Sequence, residues 1–344
     1  MRVALDATYS VAPQPTGVAR YSRRLVESLA ATDLVLTLAA RPRSISALKR
    51  TFPNFQRRIL QEPFRFLLPR DIDIFHGLNQ RLPALRFRRT VTTIHDIFPL
   101  SSDRYSSPEF NSKFSKVIRD AVSRSDALIA VSAYTRDEIC RVLGVDPAKI
   151  TVVHHGIDPA AMVARETPDE PYLLTVGVVQ TRKNTLAAVR TIERLPPRVR
   201  LIVAGGVGYG AEATQEYVRR AGLASRVEFA GHCDEAALDR LYAGASALLF
   251  PSYEEGFGFP VLEAMARGVP VIAARTSSIP EIAGDAAQLF DPDDDRGMAD
   301  AAARILEDSA WAKQWSEKGR RHARQFTWER CAQETLAVYR QLVS

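Results

Sequence analysis

A chain of 344 residues, 46% hydrophobic and 25% charged, is long enough for two domains with full cores and leaves little room for extended disorder. Its net charge of +6 is uneven: residues 1–160 hold 24 basic against 15 acidic side chains, and the remainder is net acidic. The start, Met1-Arg2-Val3-Ala4-Leu5-Asp6, has no signal-peptide core, and no apolar run nears the ~20 residues of a membrane span, so a cytoplasmic chain is expected.

Short β-branched or apolar runs alternate with longer helical patterns throughout. In the first half, strands are predicted over Arg2–Asp6, Leu34–Leu38, Ile72–His76, Thr90–His95, Ala127–Val131 and Ile150–Val153. Helical spacing covers Val18–Ala30, Pro108–Ser123 and Ala133–Leu143, the last with Ser132 placed as N-cap. The stretch Arg41–Arg89 carries 12 basic residues and three acidic ones, with Phe52, Phe55, Leu60, Phe64, Phe66, Leu67 and Leu68 interleaved. Such a mixture can lie against an anionic bilayer with aromatic residues dipping in, or it can be a solvated surface over ordinary core residues. Nothing in it resembles a nucleic-acid-binding motif, and no nucleic-acid partner is expected. Asp71-Ile-Asp73 has the look of a metal motif, but Asp73 leads into a strand.

Gly156–Pro171, with three prolines and several acids, reads as a linker. The alternation then restarts: strands over Tyr172–Val176, Arg200–Ala204, Val227–Phe229, Ala247–Pro251 and Val269–Ala273, and helices over Thr185–Arg194, Ala211–Ala221, Glu235–Ala243 and Phe259–Arg267, with a short one near Ile279. Asp291–Asp295 has the composition of a solvated turn. The segment Asp300–Ser344 is helical, with a kink at Phe326–Trp328 and Thr327 as a second N-cap. Two such series predict an α/β protein of two Rossmann-like domains facing each other, residues 1–160 and 161–327, with a last helix over 328–344. Cys140, Cys233 and Cys331 are widely spread, lack metal-ligand spacing, and read as reduced, buried filler.

The richest chemistry lies in Pro251-Ser-Tyr-Glu-Glu255-Gly-Phe-Gly-Phe-Pro-Val-Leu-Glu263. A strand ends in a glycine-rich loop, Gly256-Phe257-Gly258, and a helix opens behind it, where amides and the helix dipole favour a pyrophosphate. Eight residues separate Glu255 from Glu263; eight helical residues rise ~12 Å, so one carboxylate can take sugar hydroxyls and the other a ribose.

The Glu-x7-Glu arrangement, followed by Pro270-Val-Ile-Ala-Ala-Arg-Thr-Ser-Ser-Ile-Pro-Glu-Ile-Ala-Gly-Asp285, resembles the family 4 retaining glycosyltransferases, and within them a bacterial mannosyltransferase-like branch. The resemblance runs on through His154-His-Gly-Ile-Asp158, Leu174-Thr-Val-Gly-Val-Val-Gln-Thr-Arg182-Lys183-Asn184, Ala204-Gly-Gly206 and Phe229-Ala-Gly-His-Cys-Asp234. In the first half it takes in Pro15-Thr16-Gly17-Val-Ala-Arg-Tyr21, Asp73-Ile-Phe-His-Gly77 and Thr93-Ile-His95-Asp96, so it spans nearly the whole chain. It implies a GT-B architecture with a cleft between the domains, the donor on the second and the acceptor on the first, to which the last helix crosses back. It also implies a metal-independent hexosyl transfer with no cofactor beyond the nucleotide-sugar itself, GDP- or UDP-linked.

On that resemblance Arg182 and Lys183, between a strand and its helix, are placed on the leaving diphosphate, whose growing charge two cations stabilise most in the transition state. Basic residues at a helix start oppose the dipole, which favours this functional reading. Where many relatives carry an arginine after the strand glycine, this chain has Val178. Thr16 and Gly17 open a helix and are assigned to donor phosphate, His95 to a sugar hydroxyl near the reacting carbon, and His232 and Cys233 to the base. Glu255, Gly256, Phe257, Gly258 and Glu263 complete the donor site, with His95, Arg182, Lys183 and Glu255 as the catalytic set. The expected activity is transfer of mannose from GDP-mannose to a saccharide or lipid-linked saccharide in surface-polysaccharide synthesis, peripheral to the inner face of the membrane. A UDP-hexose transferase is the near alternative; an epimerase or phosphorylase on the same fold is a further one. A dinucleotide oxidoreductase is disfavoured by the absence of Gly-x-Gly-x-x-Gly after the first strand.

Overall fold

The computed structural model describes residues 1–12, 16–62, 67–69, 71–158, 168 and 170–344. The expected linker over Gly156–Pro171 falls largely outside them, as do Phe64 and Phe66. The chain forms two compact units: Met1–Ser101 with Pro108–Gly156 and Phe326–Ser344, and Ser102–Ser107 with Ile157–Gln325. The sequence placed these boundaries at 160/161 and 327/328.

In the first unit β1 (Arg2–Asp6), α1 (Gly17–Leu29), β2 (Val35–Ala40), α2 (Ile45–Thr51) and β3 (Gln56–Ile59) come first. There follow β4 (Ile74–Gly77), β5 (Arg89–Ile94), α3 (Phe98–Ser101), α4 (Pro108–Arg124), β6 (Ala127–Ala130), α5 (Ala133–Leu143) and β7 (Ile150–Val152). The seven strands are ordered β3-β2-β1-β4-β5-β6-β7 and every pairing is parallel. Helix α1 buries Ala19, Ser22, Val26 and Leu29 together with Tyr21 and Leu25, an apolar stripe at helical spacing.

The second unit runs β8 (Tyr172–Val176), α6 (Thr185–Glu193), β9 (Arg200–Ala204), α7 (Ala211–Arg220), β10 (Val227–Gly231) and α8 (Glu235–Gly244). It continues with β11 (Ala247–Phe250), α9 (Phe259–Ala266), β12 (Val271–Ala274), α10 (Ile279–Ala283), β13 (Gln288–Phe290), α11 (Asp295–Glu307) and α12 (Ser309–Ala323). Its parallel sheet has the order β10-β9-β8-β11-β12-β13. The runs YLLTV of β8 and ALLF of β11 are apolar and buried at almost every position, as strands covered on both faces must be. Both sheets therefore carry the doubly wound order, with strand direction of growth reversing between β1 and β4 and between β8 and β11. Ligands of such sheets bind at the carboxyl ends of the strands beside that reversal.

The last helix, α13 (Trp328–Val343), belongs to the first unit and packs on α1. Thr327 caps it by accepting from Arg330 N at 3.1 Å, as its sequence position predicts. Gly156 lies so close that a Cβ there would stand 2.3 Å from the Trp328 nitrogen.

Several readings change. Phe52, Leu60 and Leu68 are buried in the first unit, so they cannot dip into a bilayer; they are core beneath an arginine-rich exterior. Of the three cysteines, which are all free, Cys331 alone is buried; Cys140 and Cys233 are half-exposed. Among the described residues no helix is long and apolar enough to cross a membrane.

Candidate functional site

The second unit gathers one charged cluster at the carboxyl edge of β8 and β11. After β8 the chain makes a single 3-10 turn, Thr181–Lys183, and Asn184, with φ of 49°, opens α6. Asn184 anchors the turn by donating from Nδ2 to the Pro292 carbonyl at 2.7 Å. Arg182 and Lys183 thus stand ahead of α6 and not in its first turn, so the expected conflict with the helix dipole does not arise. After β11 the loop to α9 is clamped from the other side. Tyr253 N donates to the Arg182 carbonyl at 2.9 Å, Glu255 N to Ser277 Oγ at 3.0 Å, and Ser278 Oγ to the Phe257 carbonyl at 2.9 Å.

These two loops bring three predicted residues into contact. Lys183 Nζ donates to Glu255 Oε1 at 2.5 Å, and Arg182 Nη1 to Glu255 Oε2 at 3.2 Å and also to the Glu254 carbonyl. The side chains are 11%, 13% and 8% exposed for Arg182, Lys183 and Glu255, so the cluster is largely removed from water. Burial alone would push the Glu255 carboxyl up; the charges of Lys183 and Arg182, with hydrogen bonds, outweigh it and hold it below the usual carboxylate range. Glu255 is a fixed anion bridging two fixed cations.

Gly256, Phe257 and Gly258 are buried behind it, and Gly258 N-caps α9 with φ of +103°. Glu263 is the fifth residue of α9, also buried, and its Oε2 accepts from Tyr242 Oη at 2.9 Å. The helix starts only at Phe259, so the eight-residue spacing is half loop and half helix, and the ~12 Å helical rise does not apply. His232 is exposed after β10, where the register shifts between Phe229 and Gly231. Burial and the charges of Asp234 and Glu228 raise the neighbouring Cys233 thiol, so it is not a thiolate nucleophile.

Thr16, Gly17 and His95 lie in the first unit. Thr16 accepts from Ala19 N at 3.3 Å as the N-cap of α1, and both Thr16 and Gly17 are exposed; Pro15 lies outside the described residues. His95 is buried at the end of β5, its backbone N donating to Gln80 Oε1 at 2.8 Å. Its Nε2 donates to the Leu78 carbonyl at 2.9 Å, which leaves Nδ1 as the acceptor of the neutral ring. Burial holds its pKa at about 4 despite that hydrogen bond.

Behind His95 runs a buried chain of polar groups that the sequence reading did not assemble. Tyr339 Oη meets His76 Nδ1 at 2.6 Å, His76 Nε2 meets Thr93 Oγ1 at 2.8 Å, and Thr93 Oγ1 meets Tyr21 Oη at 2.8 Å. The Tyr21 ring then packs edge-on to His95, centroids 4.9 Å apart, and against His155 at 4.5 Å. Tyr242, Ser277 and Ser278 were missed as supports of the glutamates; the Thr-Ser-Ser run was visible in the sequence, but only folding sets it against the Glu255 loop. Asp71 and Asp73 are occupied by Arg2, Asp73 also by Arg88, and no three metal-ligating side chains converge among the described residues.

Two α/β units with parallel, doubly wound sheets fit a GT-B scaffold, and the comparisons agree. Residues 15–161 match the Glycosyltransferase Family 4 model and residues 161–322 the Glycosyl transferases group 1 model. The chain belongs to the family 4 glycosyltransferases of GT-B fold. The O-antigen chain mannosyltransferase B of Escherichia coli is 28% identical over 95% of this chain and 96% of its own length. Sucrose-phosphate synthase from Thermosynechococcus elongatus superposes with a TM-score of 0.77 at 23% identity, covering 100% of this chain and 99% of that one. Anabaena HepE in complex with UDP and glucose does so with a TM-score of 0.74 at 18% identity, covering 98% of each.

Proposed function

We propose that the chain moves a hexose, mannose from GDP-mannose, with retention of configuration onto a saccharide or lipid-linked saccharide of a cell-surface polysaccharide. The observation that carries this reading is the buried Arg182–Glu255–Lys183 cluster. A departing nucleoside diphosphate gains negative charge as the glycosidic bond breaks, and two desolvated cations fixed in advance stabilise that charge without reorganising. Glu255 uses two of its roughly four lone-pair directions on the cations and keeps the others for sugar hydroxyls. Glu263, steadied by Tyr242, takes the ribose, and His95 accepts from a sugar hydroxyl through Nδ1. The family resemblance favours a same-face displacement in which the leaving phosphate deprotonates the acceptor.

The mannosyltransferase relative supports mannose; the UDP and glucose held by HepE keep a UDP-hexose as the second reading. Charge stabilisation by side chains makes a divalent ion unnecessary, and peripheral contact with an anionic membrane is carried by the basic residues of the stretch 41–89, with no part for the buried Phe52, Leu60 and Leu68. The test is a thermal-shift panel of GDP-mannose and UDP-hexoses, then turnover with excess chelator and NMR of the product anomer. GDP-mannose should stabilise most, since bound ligand raises stability with the logarithm of concentration over Kd. A larger shift with a UDP-hexose selects the second reading. Inverted product, or chelator loss rescued by Mg²⁺, overturns the mechanism.

A further inference from the structure

A cavity of about 590 Å³ opens in the first unit. Asp6 and Thr8 line it beyond β1, Arg41 and Arg43 beyond β2, Glu62 beyond β3 and Arg81 beyond β4. Its volume suits a small molecule, and its place at the carboxyl ends of four adjoining strands is where doubly wound sheets take ligands. Arg81 is held there by a close backbone approach: a Cβ on Gly77 would lie 2.1 Å from the Arg81 carbonyl oxygen.

Arg41 and Arg81 act on the Asp6 carboxylate through space, without a direct bond. Arg41, Arg43 and Arg81 make no ion pair with Asp6, Glu62 or any other described residue. Asp6 is 6% exposed; its Oδ1 accepts from Thr8 N at 3.1 Å and from the Thr8 hydroxyl, while no described residue donates to Oδ2. Three guanidinium forks beside one buried carboxylate oxygen match an anion joined to a hydroxyl-bearing body. Planar forks fit the oxygens of a phosphate two at a time, and a phosphate brings nearly twice the charge of a carboxylate. Glu62 on the same wall repels a second anionic group, which limits the site to one.

We propose that this cavity binds a phosphorylated saccharide acceptor, phosphate on Arg41, Arg43 and Arg81 and a sugar hydroxyl on Asp6. The proposal rests on the reading of the first unit as the acceptor domain. The phosphate can be that of a free sugar phosphate or of a lipid-linked saccharide.

Isothermal titration tests it with mannose 1-phosphate, mannose and inorganic phosphate against the wild type, Arg81→Ala and the double variant Arg41→Ala/Arg43→Ala. Mannose 1-phosphate should bind more tightly than either half alone, weaken with salt, and lose about 10-fold or more in each variant, the scale of one lost charge-assisted hydrogen bond. The variants should melt as the wild type does and keep its affinity for the nucleoside diphosphate. A mannosyl isoprenoid diphosphate in micelles distinguishes the sources: tighter binding than the free phosphate means a lipid carrier, equal binding a soluble one. Mannose binding as well as its phosphate, or unchanged binding in the variants, overturns the proposal. Variants that lose nucleoside diphosphate affinity also overturn it, by giving the arginines to the donor. A wild type that binds no nucleotide-sugar sinks the transferase reading instead, and the anion titration is read separately.

Discussion

Glu255 is buried and charged at once, and its two cations depend on it as much as it depends on them. Glu255→Ala should lower stability by about 3 kcal/mol, the cost of leaving buried partners uncompensated, and should cut turnover while sparing nucleoside diphosphate affinity, because Arg182 and Lys183 remain. Glu263→Ala should instead weaken bare nucleotide binding by roughly 1.5–3 kcal/mol, read by titration. Equal loss in both variants would mean that the two glutamates do not divide the donor between them. The Glu255 carboxyl titrates below its ordinary value in the fold, so the unfolded chain binds the extra proton; this contribution is complete above pH ~4.5 and is lost as pH falls through the folded value. Urea midpoints from pH 3 to 7 should show that acid-dependent part disappearing in Glu255→Gln. For catalysis, Arg182→Ala with Lys183→Ala should lower kcat by at least ~100-fold, the scale of one preorganised electrostatic donor.

Among the elements, the longer helices and the central strands announce themselves, while the short helices α2 and α3 and the edge strands β3 and β13 do not. The runs that form β1, β8 and β9 are apolar enough to be bounded to the residue, and α5 is bounded as well, between its serine cap and Gly144 in the left-handed conformation. Strand β3 is the opposite case. Its sequence QRRI is mostly exposed and charged, as edge strands often are to prevent further pairing, so its residues look like a basic surface until β2 is beside them. The three-residue β13 is likewise too short to show a period. The pairing of Arg182 and Lys183 with Glu255 was not legible, since more than seventy residues separate them and the sheet alone makes them neighbours; the sequence led only to each being assigned to the donor separately. Helix α13 carries the element-scale prediction. Thr327→Ala should cost about 1 kcal/mol of stability in urea unfolding, the usual worth of an N-cap, and Thr327→Ser should restore it. No change would mean that packing on α1 fixes the helix start without the cap.

At the scale of the molecule the two units should respond differently to acid. The first buries three histidines as neutral rings: His76 at about 3, His95 at about 4, and His155 held well below its ordinary value, each chiefly by burial. The unfolded chain protonates these near pH 6.5, so it binds more protons than the fold between there and the lowered values, and stability falls as pH falls through that window. Asp6, raised by burial, acts in the opposite sense with a single group. The Glu255 cluster of the second unit is untouched until lower pH. Trp328 reports on the first unit, and Trp311 with Trp315 on the second. Fluorescence of the Trp311→Phe/Trp315→Phe and Trp328→Phe variants should therefore give a first-unit transition at higher pH; superimposed transitions would show that the histidines do not set acid stability.

The membership of α13 in the first unit bears on how the chain is made. A ribosome releases all of the second unit before it releases Trp328 and Tyr339, yet these side chains are buried in the first unit, and Tyr339 closes the hydroxyl–imidazole chain through His76. The unit that begins synthesis first is thus the one that matures last, waiting with an uncovered α1 face while its successor folds ahead of it. A nascent chain stalled before Phe326 would present a finished second unit and an open first one, the form on which a chaperone would act.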